Sequence, residues 1–253
     1  MIGETSYLQA KSAIESCLLG ERTQFEIAID LEGARKYWQG LCVPDVDSQG
    51  VVSCAHALLT DITSLRKSEL NMTALALTDA LTGLPNRRRL AEQLPESLAN
   101  ARRLGLGTAL MFLDVDHFKH INDHHGHAAG DAVLAEFARR LRAAVRASDC
   151  VARYAGDEFV VILDGVRTRQ YGEQVSAAIV QAVHEPFSVD GLTLCVTTSV
   201  GVAYLPPGGL AEAQVLLDAA DSALYQAKEG GRDRFATREI GAASSPLHRL
   251  GAR

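Results

Sequence analysis

Short apolar runs of β-forming residues alternate with longer stretches whose apolar positions recur every three or four residues. This alternation lays two regions out along the chain. In the first, residues 5–19 read as an amphipathic helix ended by Gly20. Three β-like runs follow, Phe25–Asp30, Tyr37–Cys42 and Val51–Thr60, separated by turn residues at Glu32-Gly33 and Pro44–Gly50. A connector helix is expected over 62–77, with Leu65, Leu70, Met72 and Leu77 as apolar points. Its spacing mixes sevens with fives, which makes an imperfect coiled-coil seam: either a dimerising stalk or a helix packed on its own domain.

The second region is longer and more regular. The spacing predicts a helix from Asn86 to about Leu104, interrupted at Pro95, and then a strand over 108–113. Val133, Phe137, Leu141 and Val145 stand at i+4 steps and give a helix over 129–147 one core face. Val151–Leu163 reads as a hairpin turning at Ala155-Gly156-Asp157, and 169–184 as a helix. A second hairpin is expected from Phe187–Val189 and Thr193–Ala203 through Asp190-Gly191. A last helix over 211–228 is stopped by Gly230 and Gly231. Residues 238–253 are expected to form a disordered tail. The element order β-α-α-β-β-α-β predicts an α+β fold: a ferredoxin-like palm, with a central antiparallel sheet flanked by helices.

Composition narrows the functional classes. A net charge of −6 gives no global basic field for DNA. Cys17, Cys42, Cys54, Cys150 and Cys195 are odd in number, scattered, and form no CxxC pair. Neither a disulfide framework nor a zinc site is indicated, and reduced thiols in a cytoplasmic protein are the expectation. No apolar run approaches the roughly 20 residues of a membrane span, and the start shows no signal peptide.

Candidate chemistry sits at the ends of two predicted strands. Leu110–Leu113 stop at Asp114, and Asp116 follows; the hairpin tip carries Asp157 and Glu158. If these strands are neighbours, the acids meet, and a hard cation between them would relieve their repulsion. Five histidines, His117, His120, His124, His125 and His127, crowd the next stretch. His120 and His124 stand at i,i+4, but a zinc reading is set aside, because no cysteine lies near along the chain and Gly126 breaks the helix.

Five stretches carry a family resemblance: TDALTGLPNR (78–87), LDVDHFKHINDHHGHAAGD (113–131), RYAGDEF (153–159), TTSVGVA (197–203) and LYQAKEGGRDRF (224–235). In this order and spacing the chain resembles the GGDEF family of diguanylate cyclases, with Ala155 in place of the signature's first glycine. The resemblance covers residues 78–237 and implies the nucleotide-cyclase type of palm. A helix, three antiparallel strands and an Asp-Ile-Thr exit over 1–61 resemble the later half of a PAS sensor, without its usual first strands.

The resemblance implies Mg2+-dependent condensation of two GTP molecules into cyclic di-GMP and two pyrophosphates by a homodimer, with Mn2+ as a possible substitute. Asp114, the Val115 carbonyl and Asp157 would hold the metal; Glu158 would support the metal or the attacking hydroxyl. Phe118 and Lys119 would meet the phosphates at the first loop, Lys228 and Arg232 from the far side, and Ala155 and Gly156 would let backbone approach them. Asn122 and Asp131 would select guanine, since a carboxylate accepts from N1–H and the 2-amino group. Arg146 and Asp149 form an RxxD at the offset of the family's product-inhibition site. If the position of Ala155 requires a positive φ, alanine would cost on the order of 1 kcal/mol. That possibility keeps an alternative open, a weak or inactive module acting as a receptor for GTP or cyclic di-GMP. No residue of the N-terminal region reads as an evident metal, haem or flavin ligand.

Overall fold

The structure is a computed structural model that describes residues 4–241 except 32, 49 and 190. The expected turn residues Glu32 and Asp190, the tail beyond 241, and the side chains of Leu70 and Met72 in the connector seam lie outside the described residues. The chain divides into two units, Met1–Ala74 and Leu75–Arg253.

In the first unit, helix α1 (Glu4–Leu18) precedes an antiparallel meander of β1 (Thr23–Leu31), β2 (Ala34–Val46) and β3 (Val52–Asp61). Cys17 of α1, Ile27 of β1 and Cys42 of β2 are buried, so the small core forms where the helix covers the first two strands. The Thr23 hydroxyl donates to the Ala13 carbonyl at 2.7 Å and ties the strand's start to the helix. Helix α2 (Thr63–Leu77) leads onward.

The second unit is built on a five-stranded sheet. Its members are β4 (Gly107–Val115), β5 (Cys150–Ala155), β6 (Glu158–Val166), β9 (Thr198–Leu205) and β10 (Arg234–Glu239), in the order β10-β9-β4-β6-β5. Strand β4 is central and buried along nearly its whole length, which accounts for a continuous apolar run rather than an alternating one. Its side chains serve two cores. Ala109, Met111, Leu113 and Val115 pack under α4 (Phe118–Ala144) and α5 (Arg169–His184). Leu110 and Phe112 pack under α3 (Arg87–Leu104) and α6 (Ala213–Glu229) on the other face.

Four differences from the sequence-based expectations have physical causes. The sheet is mixed rather than antiparallel, because β10 pairs parallel with β9 at the edge. Helix α3 runs through Pro95, which lies on its exposed side, where the carbonyl four residues earlier can turn to water. The run Thr193–Ala203 is two elements: β8 (Leu192–Leu194) pairs with β7 (Phe187–Val189), and β9 belongs to the main sheet. Helix α4 begins at Phe118, eleven residues before the expected start at 129, and kinks at Gly126, whose φ of 82° and ψ of 165° are not helical.

One close approach fixes the layout of the site. A Cβ on Gly201 of β9 would lie 2.1 Å from both the Ala220 carbonyl and the Leu224 amide of α6. Only a residue without a side chain lets α6 settle this near the sheet, and α6 brings Lys228 to the end of β4.

Candidate active site

The acids of β4 and of the β5–β6 hairpin meet at one end of the sheet. Asp114 pairs in register with Glu158 across β4 and β6, and the Val115 amide donates to the Asp157 carbonyl at 3.4 Å. Burial pushes the Asp114 carboxyl above its usual range, against the pull of Lys228, and Asp157 and Asp116 add to the rise. Glu158 is likewise raised, by burial first and then by Asp114 and Asp157. Lys228 reaches over from α6 and pairs with Asp114 at 2.7 Å. One lysine against Asp114, Asp157 and Glu158 leaves excess negative charge on hard oxygen donors, and such a donor set fits Mg2+.

Asp116 has a different task. Buried in the loop after β4, its carboxylate accepts from the Thr197 and Ser199 hydroxyls at 2.8 and 2.7 Å and from the Asp233 amide at 3.1 Å. It ties the loop to β9 and to the turn before β10, so its oxygens are already used. His117 and the pair Arg232 and Asp233 hold positive φ, at 57°, 61° and 51°. His117 caps α4 in this conformation and presents the first amides of α4, Phe118 and Lys119, which have no partner within a helix. Lys119 and Arg232 are exposed beside these loops.

The hairpin tip is narrower than the expected three-residue turn. Strand β5 ends at Ala155 and β6 starts at Glu158, so Gly156 and Asp157 alone make the turn. Gly156 carries the positive φ, 51°; Ala155 does not share it. The anticipated strain at Ala155 is therefore absent, and alanine here costs no left-handed backbone. The turn is held from outside by Arg153, which pairs with both oxygens of Asp79 at 3.0 and 3.1 Å and donates to the Gly156 carbonyl at 2.9 Å. Burial would raise Asp79, but hydrogen bonds from Thr82 and Arg153 hold its carboxyl below the usual range. Asn86 completes the lock, capping α3 through the Arg88 and Arg89 amides and donating to the Ala76 and Thr78 carbonyls. The sequence assigned no role to Asp79, Asn86 or Arg153. Asp79 and Asn86 lie in the opening motif and Arg153 opens RYAGDEF, but only the fold shows what they support.

Asn122 lies on the first segment of α4, and its Oδ1 is buried without a hydrogen-bond partner. A Cβ on Gly130 would come within 1.9 Å of that oxygen, so the glycine leaves the space the amide occupies. Asp131 is exposed at the next position. Together these two residues offer hydrogen-bonding groups with capacity to spare beside the α4 kink.

Arg146 and Asp149 lie at the turn between α4 and β5. Asp149 is buried; its carboxylate accepts from the Arg146 amide at 2.9 Å and faces the Asp164 amide at 3.4 Å. The Arg146 guanidinium rests over the Tyr171 ring, 4.6 Å from its centroid. His117, His120, His124 and His125 line a cavity of about 520 Å³, where Cys195 joins them. The cysteine is distant along the chain but near in space. The His120 and His124 rings stack at 4.7 Å, and among the described residues no three metal-ligating atoms of this cavity lie within 4.8 Å of one another.

Comparison with known proteins adds the following. Residues 76–234 match the family described as "Diguanylate cyclase, GGDEF domain". Diguanylate cyclase DgcP of Pseudomonas aeruginosa is 45% identical over 163 residues, 63% of this chain and 24% of that protein. Cyclic di-GMP phosphodiesterase NbdA of the same organism is 40% identical over 181 residues, 71% of this chain and 23% of that protein. The chain thus spans about a quarter of the length of these relatives. The coiled coil and GGDEF domain of DgcB from Caulobacter crescentus, solved in complex with c-di-GMP, superposes with a TM-score of 0.64 at 29% identity, covering 70% of this chain and 93% of that one.

Proposed function

Because the chain belongs to the GGDEF diguanylate cyclase family over residues 76–234, we propose that it condenses two GTP molecules into cyclic di-GMP with release of two pyrophosphates. The observation that carries this reading is the convergence of Asp114, Asp157 and Glu158 at paired strand ends, with the Asp114 and Glu158 carboxyls raised and a single lysine among them. Asp114, the Val115 carbonyl and Asp157 would hold Mg2+, with Mn2+ as an alternative. When bound, the ion supplies charge neutralisation at the reacting phosphate and the leaving pyrophosphate.

The chain's own groups do the rest. Phe118 and Lys119 offer amides and a cation to the phosphates at the start of α4, and Lys228 and Arg232 offer cations from the opposite side. Gly156 keeps the hairpin tip bare, so backbone can approach the nucleotide. Glu158 lies beside the acids with a raised affinity for protons, which suits it to receive the proton of the attacking 3′-hydroxyl. Asn122 and Asp131 present acceptors to the guanine edge, and an adenine would leave them unpaired.

Each chain offers one such site, and joining two nucleotides requires two sites face to face, hence a homodimer. The N-terminal unit, as a PAS-like sensor, and α2 would set that approach in the cytoplasm, where GTP is made. Arg146 and Asp149 would bind product and hold the idle arrangement. Binding there must share or exchange the Arg146 and Asp164 amide bonds that Asp149 now accepts. The alternative, a weak or inactive module acting as a receptor for GTP or cyclic di-GMP, rests on Ala155 in place of the signature's first glycine, a position that carries no positive φ.

The test is incubation of the purified chain with GTP and Mg2+, with nucleotides resolved by chromatography. Cyclic di-GMP should form, and Asp157→Ala should abolish it. Folded wild-type protein at micromolar concentration that makes none would refute the reading.

A further inference from the structure

We propose that Asp45, Cys54 and His56, on the β2–β3 ribbon of the N-terminal unit, form a binding site for Zn2+ with one coordination position left to solvent. The inference stands apart from the cyclase reading, since none of these residues lies in the family-matched segment.

Strand pairing builds the triad. Asp45 of β2 stands directly opposite Cys54 of β3, and His56 follows Cys54 by two residues on the same face of the ribbon. The register shifts between Asp45 and Val46, so a bulge lies beside the carboxylate, and the Ser53 hydroxyl donates to the Asp45 carbonyl at 3.1 Å. The backbone at this corner is thus held by pairing as well as by a side chain.

The spacing of the donor atoms matches one ion. Cys54 Sγ lies 3.5 Å from His56 Nε2 and 3.7 Å from Asp45 Oδ2, and Nε2 and Oδ2 are 3.9 Å apart. With Zn–S near 2.3 Å and Zn–N and Zn–O near 2.0–2.1 Å, the edges of a tetrahedron are about 3.4–3.6 Å. Each observed distance lies within about half an ångström of these, so side-chain adjustment alone closes the site. Among the described residues this is the one group whose Cys, His and carboxylate atoms gather so closely.

Donor chemistry selects the ion class. A thiolate with an imidazole is a borderline-soft pair that favours Zn2+ and rejects Mg2+, whereas the acids of the candidate active site are hard-oxygen donors. Binding replaces the thiol S–H bond with an S–Zn bond and releases the proton to solvent; no electron moves. The His56 side chain is 74% exposed and that of Asp45 59%, so water reaches the fourth position. Three protein ligands with an open position describe an exchangeable site rather than a closed structural one.

The experiment uses the full chain, reduced and stripped of metal. Zn2+ titration against a chromophoric chelator should give one tight site per chain in the presence of excess Mg2+. Cys54→Ser, His56→Ala and Asp45→Asn should each weaken it, the cysteine variant by about a hundredfold or more. Co2+ in place of Zn2+ should give a thiolate charge-transfer band and tetrahedral visible bands that vanish in Cys54→Ser. Zn2+ should also slow Ellman's-reagent modification of Cys54 while Cys195, the other exposed cysteine among the described residues, stays reactive. Because all three side chains are exposed, the variants should keep the wild-type circular dichroism spectrum. Binding that survives Cys54→Ser, or that is lost instead in Cys195→Ser with the histidine-lined cavity, overturns the proposal, as does the absence of saturable binding.

Discussion

Replacing Gly201 with alanine adds one methyl group at a point that touches neither substrate nor acid, yet it should damage stability and turnover together. The added carbon would stand 2.1 Å from the Ala220 carbonyl and the Leu224 amide, both backbone atoms in the middle of α6. Ordinary contact begins near 3.4 Å, so helix and strand must part by 3.4 − 2.1 = 1.3 Å. Backbone in a helix cannot rotate away as a side-chain tip can, and β9 is clamped between β4 and β10. Overpacking of this kind costs about 1–3 kcal/mol, and a rigid backbone contact belongs at the upper end. For a unit of this size, about 3 kcal/mol lowers Tm by about 6–12 °C. The displacement also carries Lys228 away from Asp114, now 2.7 Å distant. On the proposed function, ångström-scale misplacement of a group at the reacting centre costs about a hundredfold in rate. Thermal denaturation and turnover, measured well below the variant's Tm, separate the two effects. A variant with wild-type Tm and wild-type cyclic di-GMP production would refute the claim that α6 is seated by this contact.

Three further outcomes test the site. Glu158 has a folded-state pKa raised above its unfolded value, so the folded protein holds its proton longer and this group's contribution to stability falls as pH rises above about 4.5. Glu158→Gln should therefore raise Tm by a few degrees in metal-free buffer at pH 7, with the gain shrinking as pH falls toward 4.5, while turnover is lost; an unchanged pH profile of Tm would count against the crowding of acids. Arg153→Ala removes a mostly buried pair with Asp79 and the bond to the Gly156 carbonyl, and should cost about 2–3 kcal/mol by denaturant titration with a matching fall in kcat. Arg153→Lys should recover little of this, because an ammonium cannot grip the Asp79 carboxylate and the Gly156 carbonyl with the geometry of a fork. Gly130→Ala should push Asn122 from its place and raise KM for GTP more than it lowers kcat; equal discrimination between GTP and ATP before and after would argue against base selection by Asn122.

The residues that were legible in the sequence are those whose partners lie close along the chain or whose strands announce themselves. Leu110–Leu113 ending at Asp114, and a hairpin tip bearing Asp157 and Glu158, needed only the pairing of β4 with β6 to meet. The breaks that were not legible depend on distant partners. Thr193–Ala203 reads as one β-rich run, and only the capture of Thr197 and Ser199 by Asp116 shows why β9 separates from β8. Asp114 and Asp116 stand two residues apart, but β4 ends at Val115, and Asp116 in the loop beyond it is held by the Thr197 and Ser199 hydroxyls and the Asp233 amide while Asp114 stays at the strand end beside Lys228. Nothing local marks Gly201 as the seat of α6, since a glycine within a strand has several uses.

The same reasoning explains how a metal triad could escape a sequence in which no two ligands form a motif. Asp45 precedes Cys54 by nine residues and His56 by eleven, across a turn, and no helical or CxxC spacing relates them. What relates them is register: in β2–β3, position 45 falls opposite position 54, and a one-residue slip would turn Asp45 to the other face of the ribbon. The bulge at Asp45 and Val46 absorbs the mismatch of the turn and leaves the pairing from Trp38 to Asp45 unbroken. Deleting one residue from the turn at 47–50 therefore distinguishes a site made by register from three polar residues that merely share a surface. If register makes the site, the deletion should abolish Zn2+ binding although all three ligands remain. Binding retained at wild-type affinity, with the strands still paired by hydrogen exchange, would show that cross-strand placement is not what holds the donors together.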